Sequence, residues 1–207
     1  MKKIRSIVLS TALLLVAGLF TTAMAQNPVS FGVQGGMNIA NITGADFDVD
    51  ARFGLTVGAV LDINVPVLPF GIQSGIHYTQ KGAKDSEDGE SVTLKFDYIE
   101  IPVMARFQLG PPGPISPHLV IGPYLGFNVN AEVEGSGEGG SISFDLDDET
   151  RSTEFGATAG IGLDFNLGVT RLNAMARYSY AFTTIFESDF DDGERNAVLS
   201  VTVGIRF

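Results

Sequence analysis

The sequence predicts an all-β fold, an eight-stranded antiparallel up-and-down transmembrane β-barrel, and three observations predict it. Apolar residues alternate with small or polar ones through eight segments, and a period of two sends successive side chains to opposite faces of a sheet. No stretch after the N-terminal segment approaches the ~20 consecutive apolar residues of a spanning helix, although the chain is 44% hydrophobic and holds 15 Phe. The connections alternate short and long, as they do in bacterial barrels with short turns at one membrane face and longer loops at the other.

Residues 1–25 read as a secretory signal, and residues 26–207 as one barrel domain. Lys2, Lys3 and Arg5 form a positive start, Ile7 to Phe20 is mostly apolar, and Ala23-Met24-Ala25 places cleavage before Gln26. The chain contains no Cys, which excludes disulfides, thiolate metal sites and a cysteine-linked lipid anchor. An exported, greasy chain without a spanning helix has a closed barrel as its membrane-compatible form, because an open sheet edge cannot face lipid. The expected location is the outer membrane of a Gram-negative bacterium.

The strands follow in order. Val29 to Ala40 places Val29, Phe31, Val33, Met37 and Ile39 on one face, and a loop with Asp46, Asp48 and Asp50 follows. Arg52 to Ile63 shows Phe53, Leu55, Val57, Ala59 and Leu61 against Arg52, Gly54, Thr56, Gly58 and Asp62. Pro66 and Pro69 mark a short turn, since neither can donate to a ladder. Phe70 to Lys81 directs Ile72, Ile76 and Tyr78 outward and Gln73, Gly75, His77 and Thr79 inward, and Lys84 to Glu90 reads as a polar loop.

Val92 to Leu109 carries Ile99, Ile101, Val103, Ala105 and Phe107 opposite Tyr98, Glu100, Met104, Arg106 and Gln108, and stops at Gly110-Pro111-Pro112-Gly113-Pro114. Within it, Pro102 predicts a bulge. His118 to Val133 points Leu119, Ile121, Leu125, Phe127 and Val129 outward. Gly135 to Arg151 is Gly-rich and acidic, and reads as the longest and a mobile loop. Thr153 to Leu167 and Val169 to Phe182 turn at Gly168 and repeat the alternation. After a fourth acidic loop, Ala197 to Phe207 closes the set with Leu199, Val201, Val203, Ile205 and Phe207 on one face.

A soluble, lipocalin-like barrel would alternate too, with its apolar face inside. Three features favour the apolar face outside: its tall unbroken band, a polar face filled by Gly rather than Lys and Glu, and the terminal aromatic Phe207. Phe207 is identified with the C-terminal signal that outer-membrane barrels present to the barrel-assembly machinery. Tyr78, Phe127, Tyr178, Tyr180 and Phe182 toward the loop side, and Phe70, Phe107, Phe165 and Phe207 toward the turn side, are expected to form two interfacial girdles; the alternative is the general enrichment of aromatics in strands, and their places near strand ends favour girdles.

Three stretches carry a family resemblance: Gly75-Ile76-His77-Tyr78-Thr79-Gln80-Lys81-Gly82, Phe96-Asp97-Tyr98-Ile99-Glu100-Ile101-Pro102-Val103, and Gly122-Pro123-Tyr124-Leu125-Gly126-Phe127. Together they resemble the PorT-like outer-membrane β-barrel family of Bacteroidetes and their relatives. The D-Y-x-E-I-P block is the most specific piece. The resemblance implies an eight-stranded outer-membrane barrel; the family's founding role in secretion and gliding is not carried over.

The candidate site is the barrel interior. Arg52, Glu100, Arg106, Arg171, Arg177 and Arg206 face the lumen with Asp62, Gln73 and Asp164. Charges in an interior just wide enough for side chains must pair, so an interlocked network that stiffens the wall is expected. The expected role is structural or binding, not catalytic, with no cofactor. One alternative is a lipid-modifying enzyme of the lipid A deacylase or acyltransferase kind using His77, His118 or Ser179, which lack mutual register: His77 is placed near the loop end and His118 at the turn end. The other is a small passive pore lined by the arginines. The expected partners are outer-membrane lipid, lipopolysaccharide and the assembly machinery, and a protein partner at the acidic loops is left open. A net charge of -11 argues against nucleic acid. Asp46 to Asp50 and Asp189 to Glu194 begin like calcium loops, but lack the turn glycine or the closing Glu. Weak divalent binding shared among the loops, bridging to lipopolysaccharide phosphates, is the expectation that remains.

Overall fold

The computed structural model of the chain describes residues 29–44, 50–64, 68–87, 90–111, 113–137, 140–146, 150–186 and 193–207. The segment read as a signal lies outside them, as do Asp46, Asp48, Asp147, Asp148, Glu187, Asp189, Asp191 and Asp192 of the acidic loops. The calcium-loop readings therefore fall outside the described residues. The strands are β1 (Val29–Thr43), β2 (Asp50–Ile63), β3 (Gly71–Glu87), β4 (Glu90–Gln108), β5 (Ile115–Gly137), β6 (Gly140–Asp145), β7 (Thr153–Asn166), β8 (Arg171–Ala181) and β9 (Arg195–Arg206).

Pairing runs β4-β3-β2-β1-β9-β8-β7-β5, and β4 pairs with β5 to close an antiparallel eight-stranded barrel. β6 stands outside the ring and, among the described residues, pairs with β5 alone. A tight turn joins β7 and β8; in it Gly168 holds φ +87°, a left-handed conformation that suits glycine, while Leu167 N–H donates to Thr170 at 2.9 Å. The first and last strands meet at this turn end, where Phe207 N–H donates to the Phe31 carbonyl at 2.7 Å.

The register sets the dimensions. Partners stepped across from Val29 run Ile63, Ile72, Ala105, Ile121, Ala159, Tyr178 and Leu199, and return to β1 at Ile39, ten residues along. With a rise of ~3.3 Å and a spacing of ~4.8 Å, that stagger tilts the strands by about 40°. An apolar band ~25 Å tall then takes about ten residues per strand. β8 (11 residues) and β9 (12 residues) fit it. β3, β4 and β5, with 17, 19 and 23 residues, extend well past it.

Burial decides which face is which. On β9, Val201 and Val203 are 57% and 66% exposed while Ser200 and Thr202 are 1% and 2%. Phe31, Val33, Met37 and Ile39 look outward on β1, with Gln34, Asn38 and Ala40 buried between them. The apolar stripe therefore faces the surroundings, the reverse of a lipocalin. At the band's edges, Phe70 and Phe107 rings lie 5.4 Å apart at the turn end, and Phe182 lies 5.9 Å from Phe155 and 6.2 Å from Tyr180 at the loop end.

Three expectations give way. The described part of Lys84 to Glu90 is not a loop: Lys84 pairs with Thr93 and Glu87 with Glu90. Gly135 to Arg151 is not wholly irregular, since β6 lies inside it. Both stretches lie past the apolar band, where a strand needs no long apolar stripe: the first is almost wholly polar, and the second has only Ile142, Phe144 and Leu146 among glycines, serines and acids. Pro102 makes no bulge. Its register with β3 and β5 is constant, and the β3–β4 ladder is interrupted opposite it, at Gly75 and Ile76. A gap in the ladder removes the need for the N–H that proline lacks. The irregularities lie elsewhere, between Ala51 and Thr56 on β2 and opposite Asp97/Tyr98, where β5 carries Val129 as an extra residue.

Past those irregularities the polarity of the wall inverts. Lys95 and Glu134 form an ion pair on the outer face, while Phe96, Ala83 and Ala131 are buried inside with Ile42, Tyr98 and Ile185. Leu94, Leu146 and Phe186 pack against them, and Phe96 meets Phe186 edge-on at 6.2 Å. An apolar stopper thus sits on the loop end of a polar lumen.

Candidate functional site: the charged lumen and its lysine cage

Two charged layers occupy the lumen, separated by buried Met104, Val120 and Met175. At the turn end, Arg106 is ion-paired with Asp164. Arg171 reaches Asp62 at 3.0 Å and Asp164 at 3.6 Å, and Arg206 lies 3.4 Å from Asp62. The carboxylates take further bonds, from Gln73 to Asp62 at 2.6 Å and from Asn173 to Asp164 at 2.8 Å. Arg206 donates to Gln34 at 2.9 Å, and the Gln34 amide nitrogen lies 2.9 Å from His77 Nε2.

The second layer is built around Lys81, which has no exposed surface. Its ammonium is 2.6 Å from Glu100 and is ion-paired with Glu154. It lies 4.8 Å from the Tyr98 ring centre and 4.9 Å from that of Tyr124, a cation–π arrangement. Tyr124 donates to Glu154 at 2.7 Å, Asn196 to the same carboxylate at 2.6 Å, and Thr79 to Glu100 at 3.2 Å. Arg177 Nη2 lies 3.9 Å from Glu100. Gly156 makes room for the cage, since a Cβ there would stand 2.6 Å from the Tyr124 ring.

Of the six residues expected in the network, Glu100, Arg106, Arg171, Arg177 and Arg206 occupy the lumen in these positions. Arg52 does not join them. It donates to the Lys81 carbonyl and its nearest charges include Asp97 and Glu132. It sits on the irregular stretch of β2, whose extra residue against β3 takes its guanidinium off the lumen row.

Lys81 escaped the sequence reading. It shares the parity of Gln73, His77 and Thr79, and that signal was available. A strand boundary drawn at Lys81 concealed it. His77 also differs from expectation: β3 runs on to Glu87, so His77 lies in the barrel's body and not near the loop end. His118 Nδ1 is 4.0 Å from Asp164, and Ser179 donates to Thr158 at 3.0 Å rather than to either histidine. Among the described residues, no group of three or more His, Asp and Glu side chains is arranged to hold a metal ion.

The three stretches that carry the family resemblance converge on this cage. The first supplies Lys81, the second Tyr98 and Glu100, the third Tyr124. Residues far apart in sequence are thereby tied across β3, β4 and β5.

The family model described as "Outer membrane protein beta-barrel domain" matches residues 24–187. No curated protein sequence matches the chain. Among solved structures, Neisserial surface protein A superposes with TM-score 0.52 at 14% identity, covering 87% of this chain and 98% of that one. Ail, the attachment invasion locus protein of Yersinia pestis, gives 0.45 at 16% identity, covering 88% and 100%. A major outer membrane protein from Thermus thermophilus gives 0.48 at 14%, covering 86% and 98%.

Proposed function

Because this chain belongs to the outer membrane protein beta-barrel domain family, we propose that it is an integral outer-membrane barrel whose lumen is a structural plug and whose loop end is a binding surface. The observation that carries this reading is the Lys81 cage. An ammonium closed in by two carboxylates and two tyrosine rings, beneath the apolar stopper of Phe96 and Ile185, fills the section a solute would need. Its ammonium and carboxylates are engaged with each other, which favours a structural role. Lipopolysaccharide and the barrel-assembly machinery are the partners proposed for the wall and for Phe207. The convergence of the motifs on Lys81 supports the narrower PorT-like assignment.

The test has two arms. The outer-membrane fraction, run on gels with and without boiling, is expected to show heat-modifiable migration, and the purified protein in planar bilayers is expected to pass no current above baseline. Steady single-channel conductance would replace the plug reading with the small pore. Acyl release from lipid A that His77→Ala abolishes would replace it with the enzyme.

A further inference from the structure

Beyond the apolar band, β3, β4, β5 and β6 continue as a sheet that rises from one side of the barrel. β6 is its last strand; its other edge has no strand partner among the described residues, and all six of its residues are exposed. The face of this sheet turned toward the barrel axis continues the apolar lining of the stopper. Val133 pairs with Leu94 and with Phe144, and Gly135 with Val92 and with Ile142, so these side chains share one face. At its base the face is covered by Ile185, Phe186 and Leu146. Toward the tip it is bare: Val92, Ile142 and Phe144 are 50%, 64% and 62% exposed, and they line a shallow groove of about 420 Å³ with Val133, Gly135 and Gly140.

We propose that this face and the outer edge of β6 over residues 140–144 form a docking site for an extended polypeptide strand that alternates apolar with cationic side chains. Strand addition would satisfy the edge's backbone groups, and alternate side chains would enter the groove. Charge selects the occupant. Residues 130–151 hold Glu132, Glu134, Glu138, Asp145, Asp147, Asp148 and Glu149 against Arg151, and the neighbouring Lys95 is taken up by Glu134. A second copy would bring the same acid to the edge and be repelled. A cationic strand would be drawn in, and like-charged partners disfavoured.

This rests on the loop end being a binding surface, but its test is separate from that of the barrel. The full chain is placed in phosphatidylcholine nanodiscs, whose neutral headgroups give a cationic peptide little to hold. The probes are a short peptide alternating lysine with phenylalanine, the same composition with its residues in blocks, and the alternating peptide N-methylated along one edge. The alternating peptide is expected to bind saturably. Blocking or N-methylation, or the paired change Ile142→Ser and Phe144→Ser, is expected to weaken it by about tenfold or more. Heat-modifiable migration of the double variant checks that its barrel is intact, because neither residue lies in the ring. Equal binding of the block peptide, or of the double variant, would overturn the proposal, as would absence of saturable binding or a self-associated protein that the double variant dissociates. A barrel that is heat-modifiable and silent but fails these tests loses the docking site alone.

Discussion

The Lys81 ammonium stands 2.6 Å from a Glu100 carboxylate oxygen with side-chain exposures of 0% and 4%. A buried ion pair adds little over an apolar filling of the same shape, but removal of one partner strands the other's charge. Lys81→Met leaves Glu100 and Glu154 together without their shared cation, and is expected to cost about 3–5 kcal/mol. The temperature at which the folded band converts to the unfolded one on gels should fall sharply. Lys81→Met combined with Glu154→Gln should recover much of the loss, because Glu100 then keeps Arg177 at 3.9 Å as its cation and no second carboxylate is left beside it. A single substitution that leaves that temperature unchanged would show that the cage does not hold the barrel.

The wall's orientation makes an independent prediction. Val201 is 57% exposed and sits near the middle of β9. Val201→Arg would place a charge in hydrocarbon, and is expected to destabilise the folded barrel by about 2–4 kcal/mol in denaturant titration in phospholipid. A change near zero would mean that this face does not meet lipid.

Gly156 tests the fit of the cage. An added Cβ would lie 2.3 Å from the Tyr180 carbonyl oxygen and 2.6 Å from Tyr124. The backbone oxygen cannot swing aside as a flexible side chain can. Gly156→Ala should therefore cost about 1–3 kcal/mol by overpacking, read from the same titration. Gly168→Ala adds no contact, having nothing within 4 Å, but strains a turn at φ +87°.

Phe207 is exposed at the turn end, 54% accessible beside Phe31. With its side chain about half exposed, Phe207→Ser should move the unfolding midpoint of the refolded protein only modestly. Its yield in the outer membrane should fall several-fold, with unassembled chain accumulating in the periplasm, as measured by fractionation and immunoblotting. Equal yields would remove Phe207 as an assembly signal.

The wall of this protein was legible in its sequence because a lipid-facing strand obeys a local rule. Phe31, Val33, Met37 and Ile39, like Leu199, Val201 and Val203, are apolar at every second place or nearly so, and hydrocarbon tolerates little else there. Strand number and barrel closure follow from that local rule together with the need to satisfy every backbone group in lipid, whereas burial decides which face looks outward. Where water replaces lipid the rule lapses: Lys84 to Glu87 pairs without alternating, and the alternation of Ile142 and Phe144 in Gly140–Asp145 is too short to stand out among the glycines and acids around it.

The interior belongs to the tertiary structure. Whether Arg52 or Lys81 joins the charged network depends on one extra residue between Ala51 and Thr56 and on the stagger that brings β3, β4, β5 and β7 to a common height. Alternation assigns each side chain a face, but not a height or a partner across the lumen. Partnership among buried charges is set by distances of a few ångströms between strands remote in sequence, and only the closed, tilted barrel brings Lys81, Glu100, Tyr124 and Glu154 within them.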